Sequence, residues 1–169
     1  MIQPVPETIG QDGDRSPARG PRVPQRHIAV VTCMDARIDV FALLALQPGD
    51  AHVIRNAGGV VTDDVIRSLV ISQRALGTRH VVVVHHTDCG MTSLSESFNR
   101  ELERETGIRP SWAAENFDDP VEETRQSIQR LARNPFLLGS AQGMVWNVET
   151  GELDLVVPPV PIGAAAPAR

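Results

Sequence analysis

Lysine is absent from this sequence: all 16 basic residues are arginine. A Schiff-base enzyme and a Walker-A nucleotide site both require a lysine, so neither chemistry is open to the chain. Tyrosine is absent too, and aromatics make up only 4% of the composition, with a formal net charge of −5. Nucleic-acid binding draws on a basic surface and on stacking platforms. This composition offers neither, so nucleic acid is not an expected partner. No apolar run approaches membrane-spanning length, which argues against a membrane partner. The first residues, Met1-Ile2-Gln3-Pro4-Val5-Pro6, lack the charged and then apolar pattern of a secretory signal. A cytoplasmic location is the expectation. Cysteine is nearly absent, with only Cys33 and Cys89. In the cytoplasm such a pair serves metal binding or catalysis more often than a structural disulfide, although sequence alone leaves a disulfide open.

What is present suits one soluble α/β domain. The 169 residues contain 41% hydrophobic and 22% charged side chains, enough for a single sizeable core. Residues 1–25 are rich in Pro, Gly, Asp and Arg and read as a flexible N-terminal arm. Residues 26–157 read as the folded domain, and the Pro- and Ala-rich residues 158–169 as a disordered tail. Ile28-Ala29-Val30-Val31-Thr32 and Val81-Val82-Val83-Val84 are continuous apolar runs, as in strands buried on both faces. Ala51 to Arg55 reads as a further strand. Helices are expected from Ile38 to Leu46, from Thr62 to Gly77, from a capping box at Ser93-Leu94-Ser95-Glu96 to Thr106, and from Asp119-Pro120 to a stop before Asn134-Pro135. Gln142 to Val148 and Glu152 to Val157 read as an antiparallel pair. Alternating strands and helices predict a central sheet of four to five strands, mostly parallel, flanked by helices.

Ligands of such sheets bind outside the carboxyl ends of the strands. Cys33, the loop Asn56-Ala57-Gly58-Gly59 and the segment His86-Thr87-Asp88-Cys89 each follow a predicted strand. Cys33, His86 and Cys89 therefore converge on one sheet edge. They supply S, N and S, a donor set that zinc favours, and three protein ligands leave the fourth position open, as in a catalytic site. Taken singly, each of these residues is more simply a small buried hydrophobe or a packed histidine; the shared edge is what favours a metal. His85 is the rival ligand. It alternates with His86 across the strand, so a regular strand directs only one of them to the site, and the spacing to Cys89 favours His86.

Asp35 and Arg37 follow Cys33 at alternate positions. A bidentate Arg holds a carboxylate ionised. Asp35 can then orient a metal-bound hydroxide by accepting its hydrogen bond. It is also close enough in sequence to serve as a fourth metal ligand in a closed form, with Arg37 competing for it. The alternative is a plain ion pair at a helix start.

With Cys33-Met34-Asp35-Ala36-Arg37, His86-x-x-Cys89 and Arg55-Asn56-Ala57-Gly58, the sequence resembles the β-class carbonic anhydrases, over residues 26–157. The short length and the Met34-Asp35-Ala36-Arg37 variant look most like the small archaeal- and mycobacterial-type branch. Many members carry Ser where Ala36 stands. The resemblance implies a zinc lyase, carbonate dehydratase, which hydrates CO2 reversibly to bicarbonate and a proton through zinc-bound hydroxide. It implies zinc (Zn2+) on Cys33, His86 and Cys89 with the Asp35–Arg37 dyad beside it. It also implies a homodimer or larger assembly embraced by the N-terminal arm, and substrate-anion contacts from backbone N–H groups around Gly58, Gly59 and Gly90. The same branch resembles hydrolases of carbonyl sulfide and carbon disulfide, which use the same site. A non-catalytic zinc sensor or structural subunit is a third reading, against which the intact dyad argues.

Overall fold

A computed structural model of the chain describes residues 22–163. Of the expected N-terminal arm only residues 22–25 are among them, and of the expected tail only residues 158–163. Five strands form one sheet: β1 (Ile28–Cys33), β2 (Ala51–Asn56), β3 (His80–His86), β4 (Ser140–Trp146) and β5 (Leu153–Pro161), in the order β2-β1-β3-β4-β5. The first four run parallel, and β5 pairs antiparallel with β4 along one edge. Four helices complete the fold: α1 (Val40–Leu43), α2 (Asp63–Arg74), α3 (Phe98–Thr106) and α4 (Pro120–Ala132).

The apolar runs form the centre of the sheet. Ala29, Val30, Val31 and Thr32 of β1 are buried, as are Val81 to Val84 of β3. Both faces of these strands meet protein, so the sequence shows no polar alternation there. One face packs Ala29, Val31, Val81, Val83 and Ala141 against Val65 and Leu69 of α2 and Ile128 and Leu131 of α4. The other packs Val30, Val82 and Val84 under Ile38, Val40 and Leu46.

The element ends follow local chemistry. Thr62 caps α2 by accepting from the Val65 N–H, and Asp119 caps α4 by accepting from Val121 ahead of Pro120. Three expectations need correction. The helix expected over Ile38–Leu46 is only the single turn of α1, capped by Asp39 and ended where Ala45 takes a left-handed φ of 49°. The capping box expected at Ser93 does not start a helix. The Ser93 hydroxyl instead donates to the Gly90 carbonyl at 3.1 Å within a 3-10 turn, Gly90–Ser93, and Ser97 pairs with Glu101 to open α3. The tail expected to be disordered from Pro158 is ordered as far as residue 163. Strand β5 continues through Pro158, Pro159 and Pro161, and Ile162 is buried in the core. Proline is tolerated there because β5 is an edge strand, and Pro158 and Pro159 fall where the pairing slips between Val157 opposite Gly143 and Val160 opposite Ala141.

From β1 the chain goes out to β2 on one side, then returns across β1 to lay β3 on the other. The carboxyl ends of β1 and β3 thus flank the point where the strand order reverses, which is where open α/β sheets bind their ligands. Cys33 ends β1 and His86 ends β3.

Candidate metal centre

Beyond Cys33 the chain leaves the sheet and is held by hydrogen bonds from two directions. The Met34 N–H donates to the Asn56 carbonyl at 2.8 Å. Arg55, on β2, donates to three carbonyls here: Nε to that of Cys33 at 2.9 Å, Nη2 to that of Asp35 at 2.7 Å, and Nη1 to that of Ile38 at 3.2 Å. Gly59 lets the next loop lie directly on the end of β1. Its φ is +72°, and a Cβ built there would sit 2.8 Å from the Cys33 nitrogen and the Thr32 carbonyl carbon.

His86 is buried, and its Nδ1 lies 2.9 Å from the Thr87 carbonyl oxygen. A carbonyl only accepts, so Nδ1 carries the proton and Nε2 keeps its lone pair. That Nε2 is buried without a hydrogen-bond partner. Cys89 is buried too, and its carbonyl accepts from the Thr92 hydroxyl at 2.8 Å. The two sulfurs are 3.9 Å apart as free thiols, not a disulfide. One ligand atom from each of Cys33, His86 and Cys89 lies within 4.8 Å of the others. Two thiols and a lone-pair nitrogen aimed at one another fit the donor set of a soft or borderline metal ion.

The electrostatics are uneven. Burial pushes the Cys33 thiol up, but the neighbouring His86 and the N–H groups of Asp35 and Gly58 bring it down to about 7. Burial pushes Cys89 up to about 11, aided by the neighbouring Cys33. Cys33 is thus the readier thiolate. Burial works against a charged His86, yet contact with Cys33 raises it overall.

Asp35 lies at the edge of this group, with Oδ2 3.9 Å from His86 Nε2. Arg37 grips it with both prongs, Nε to Oδ1 at 3.0 Å and Nη2 to Oδ2 at 2.8 Å, while the Arg37 N–H donates to Oδ1 at 2.9 Å. These bonds hold the carboxyl well below the usual carboxylate range.

A family model described as carbonic anhydrase matches residues 28–152. The chain belongs to the β-carbonic anhydrase family. It is 55% identical over 141 residues to β-carbonic anhydrase 1 of Mycobacterium tuberculosis, spanning 82% of this chain and 86% of that protein. Among solved structures it is similar to the carbonic anhydrase of Streptococcus mutans, with a TM-score of 0.75 and 41% identity, over 82% of this chain and 86% of that one. A carbon disulfide hydrolase of Saccharolobus solfataricus is 46% identical over 88 residues, 52% of this chain and 43% of its own. Carbonic anhydrases are lyases, carbonate dehydratases, and the solved members carry the same α/β sheet architecture.

His85, which alternates with His86 along β3, is not among the three clustered ligand atoms: it is fully buried, edge-on to Phe117 with ring centroids 5.6 Å apart. Both of its ring nitrogens lack a partner, and burial lowers it to about 4. The Gly58 N–H helps to hold the Cys33 thiol down, and a Cβ built on Gly58 would meet Met91 and Phe117 side chains at 2.9 and 3.0 Å. Gly90 has a negative φ and open space around it. Sequence reasoning missed Arg55 as the loop's anchor and Asp88 as a second partner of Arg37. Both contacts join residues 17 to 51 positions apart, and periodicity carries no trace of them.

Proposed function

We propose that the chain is a zinc-dependent carbonic anhydrase that hydrates CO2 reversibly to bicarbonate and a proton, with Cys33, His86 and Cys89 holding the metal. The observation that carries this reading is the meeting of those three buried ligand atoms with an Arg37-held carboxylate 3.9 Å from the free nitrogen of His86. A structural zinc site needs no such dyad. Zinc held there lowers the pKa of water and so supplies a nucleophile near neutral pH.

The chain's own residues do the rest. Arg37 keeps Asp35 ionised, and ionised Asp35 accepts a hydrogen bond from the attacking water and fixes its orientation. The bond from His86 Nδ1 to the Thr87 carbonyl fixes the imidazole tautomer and ring plane, so Nε2 stays available as a ligand. Asp35, with Oδ2 3.9 Å from His86 Nε2, could serve as a fourth ligand in a closed form, and Arg37 would oppose this by holding both carboxylate oxygens. Backbone N–H groups around Gly58, Gly59 and Gly90 are the anion contacts in this reading.

We infer a cytoplasmic homodimer or larger homo-oligomer. No described helix is long and apolar enough to cross a membrane. The sheet face covered by α1 supports self-association, because a four-residue helix leaves Leu43, Leu44, Met144 and Leu153 only partly buried around a groove. The likeness to carbon disulfide hydrolases favours one competing substrate class, CS2 or carbonyl sulfide, on the same residues. Stopped-flow CO2 hydration measured beside sulfide release from carbonyl sulfide, with zinc quantified on the same preparation, separates them. Faster turnover of carbonyl sulfide than of CO2 would transfer the proposal to the hydrolase reading. Turnover of neither by zinc-loaded protein would end the enzyme reading.

A further inference from the structure

We infer that Asp88 is a positioning residue for the reaction, its carboxylate and its main-chain carbonyl together anchoring the Arg37 guanidinium that holds Asp35. Arg37 Nη1 donates to Asp88 Oδ2 at 2.7 Å, and Nη2 donates to the Asp88 carbonyl at 2.9 Å while also reaching Asp35. The Arg37 side chain is 46% exposed, whereas the Asp35 carboxylate it grips is 17% exposed, so the guanidinium is the half of the pair open to solvent. Two further bonds from one residue brace that guanidinium from its other side.

The backbone at Asp88 supports the assignment. Its φ is 52°, in the left-handed region that few side chains adopt and that Asp and Asn tolerate best. In that conformation Asp88 offers both its oxygen types to a single guanidinium. Asp88 sits between His86 and Cys89 in the chain, whereas Asp35 and Arg37 follow Cys33. The bridge therefore ties together the two loops that carry the ligand atoms, across 51 residues of sequence. Asp88 itself is 74% exposed and touches none of Cys33, His86 or Cys89 through its side chain. It acts through Arg37: with the brace gone, Arg37 is freer to leave, and Asp35 is freer to turn toward His86 Nε2 and the open metal position.

This inference rests on the metal reading of the site, and its test keeps the two separable. Cobalt(II) in place of zinc gives a visible spectrum that reports coordination, and azide titration of that spectrum reports access to the open position. Asp88→Gly removes the carboxylate, suits a φ of 52° and keeps the carbonyl. Asp88→Asn keeps a neutral acceptor. Asp88→Gly is expected to weaken azide binding about fivefold, the scale of one exposed charge-assisted contact, with Asp88→Asn between it and wild type. Simple loss of a negative charge would act in the opposite direction and tighten anion binding. In an Asp35→Asn background, Asp88→Gly is expected to add no further weakening, since the two residues lie on one path. Azide affinity that is unchanged or increased in Asp88→Gly, or an equal loss in the Asp35→Asn background, overturns the role of Asp88. Failure of the wild-type chain to bind cobalt overturns the metal reading and this role with it.

Discussion

Replacing Gly59 by alanine strikes the seam between the metal-ligand loop and the sheet. An alanine there must hold φ near +72°, a left-handed conformation that costs about 1–2 kcal/mol for a residue with a Cβ. The added carbon also meets the Cys33 nitrogen and the Thr32 carbonyl carbon at 2.8 Å and the Thr32 Cα at 3.1 Å. These are backbone atoms of the central strand, which cannot swing aside as a side-chain tip does. Overpacking of this kind costs about 1–3 kcal/mol. Together the two terms give about 2–5 kcal/mol, or a fall of about 4–20 °C in Tm for a chain of this size. Cys33 is the atom group pushed, so metal affinity should fall along with stability. Gly90→Ala is the control: nothing lies within 4 Å of its built Cβ, and a change below about 0.5 kcal/mol is expected. Thermal unfolding of both variants at one protein concentration, with zinc content measured on each, checks the pair. A Gly59→Ala protein that melts with wild type and keeps its zinc refutes the claim that this glycine exists for close packing on β1.

Three further outcomes follow from the geometry. His85 has its pKa depressed to about 4 by burial, so its contribution to stability is complete above the unfolded value near 6.5 and is lost as pH falls toward 4. Between pH 7 and pH 5 that loss amounts to about 2 kcal/mol. Urea unfolding should therefore show wild type weakening by that much more than His85→Leu, and parallel pH curves would contradict it. Asp119→Ala removes the cap of α4 and should cost about 1 kcal/mol in the same assay, without altering metal content. Arg37→Ala should lower CO2 hydration in steady-state assays by at least tenfold, a loss of about 1.4 kcal/mol of transition-state stabilisation, while zinc remains bound; full activity would remove the dyad from the mechanism.

The parts of this molecule that were legible in the sequence are those set by local pattern. Val81 to Val84 and Ile28 to Thr32 announce buried parallel strands, because nothing polar is needed on either face. Asp119-Pro120 and Thr62 announce helix starts, because capping is a matter of three or four adjacent residues. The convergence of Cys33, His86 and Cys89 was legible because strand-helix alternation alone brings successive strand ends to one edge. What was hidden depends on contacts between distant residues or on tertiary context. Prolines at 158, 159 and 161 read as a chain end, yet an edge strand with slipped pairing absorbs them. The Ser93 capping signal was outcompeted by the Gly90 carbonyl, since the turn after Cys89 claims that hydroxyl first. Arg55 reads as an ordinary strand residue, although its guanidinium holds three carbonyls of the loop beyond Cys33. Asp88 reads as a spacer between two ligand residues, and only its approach to Arg37 gives it a role.

Zinc-edge X-ray absorption on the zinc-loaded chain, beside Cys89→Ser, tests the metal centre most directly. The expected spectrum has two sulfur neighbours at about 2.3 Å and nitrogen or oxygen neighbours at about 2.0 Å, with one sulfur lost in the variant. A zinc shell without sulfur, or one unchanged by Cys89→Ser, would contradict the assignment of Cys33, His86 and Cys89 as the ligands.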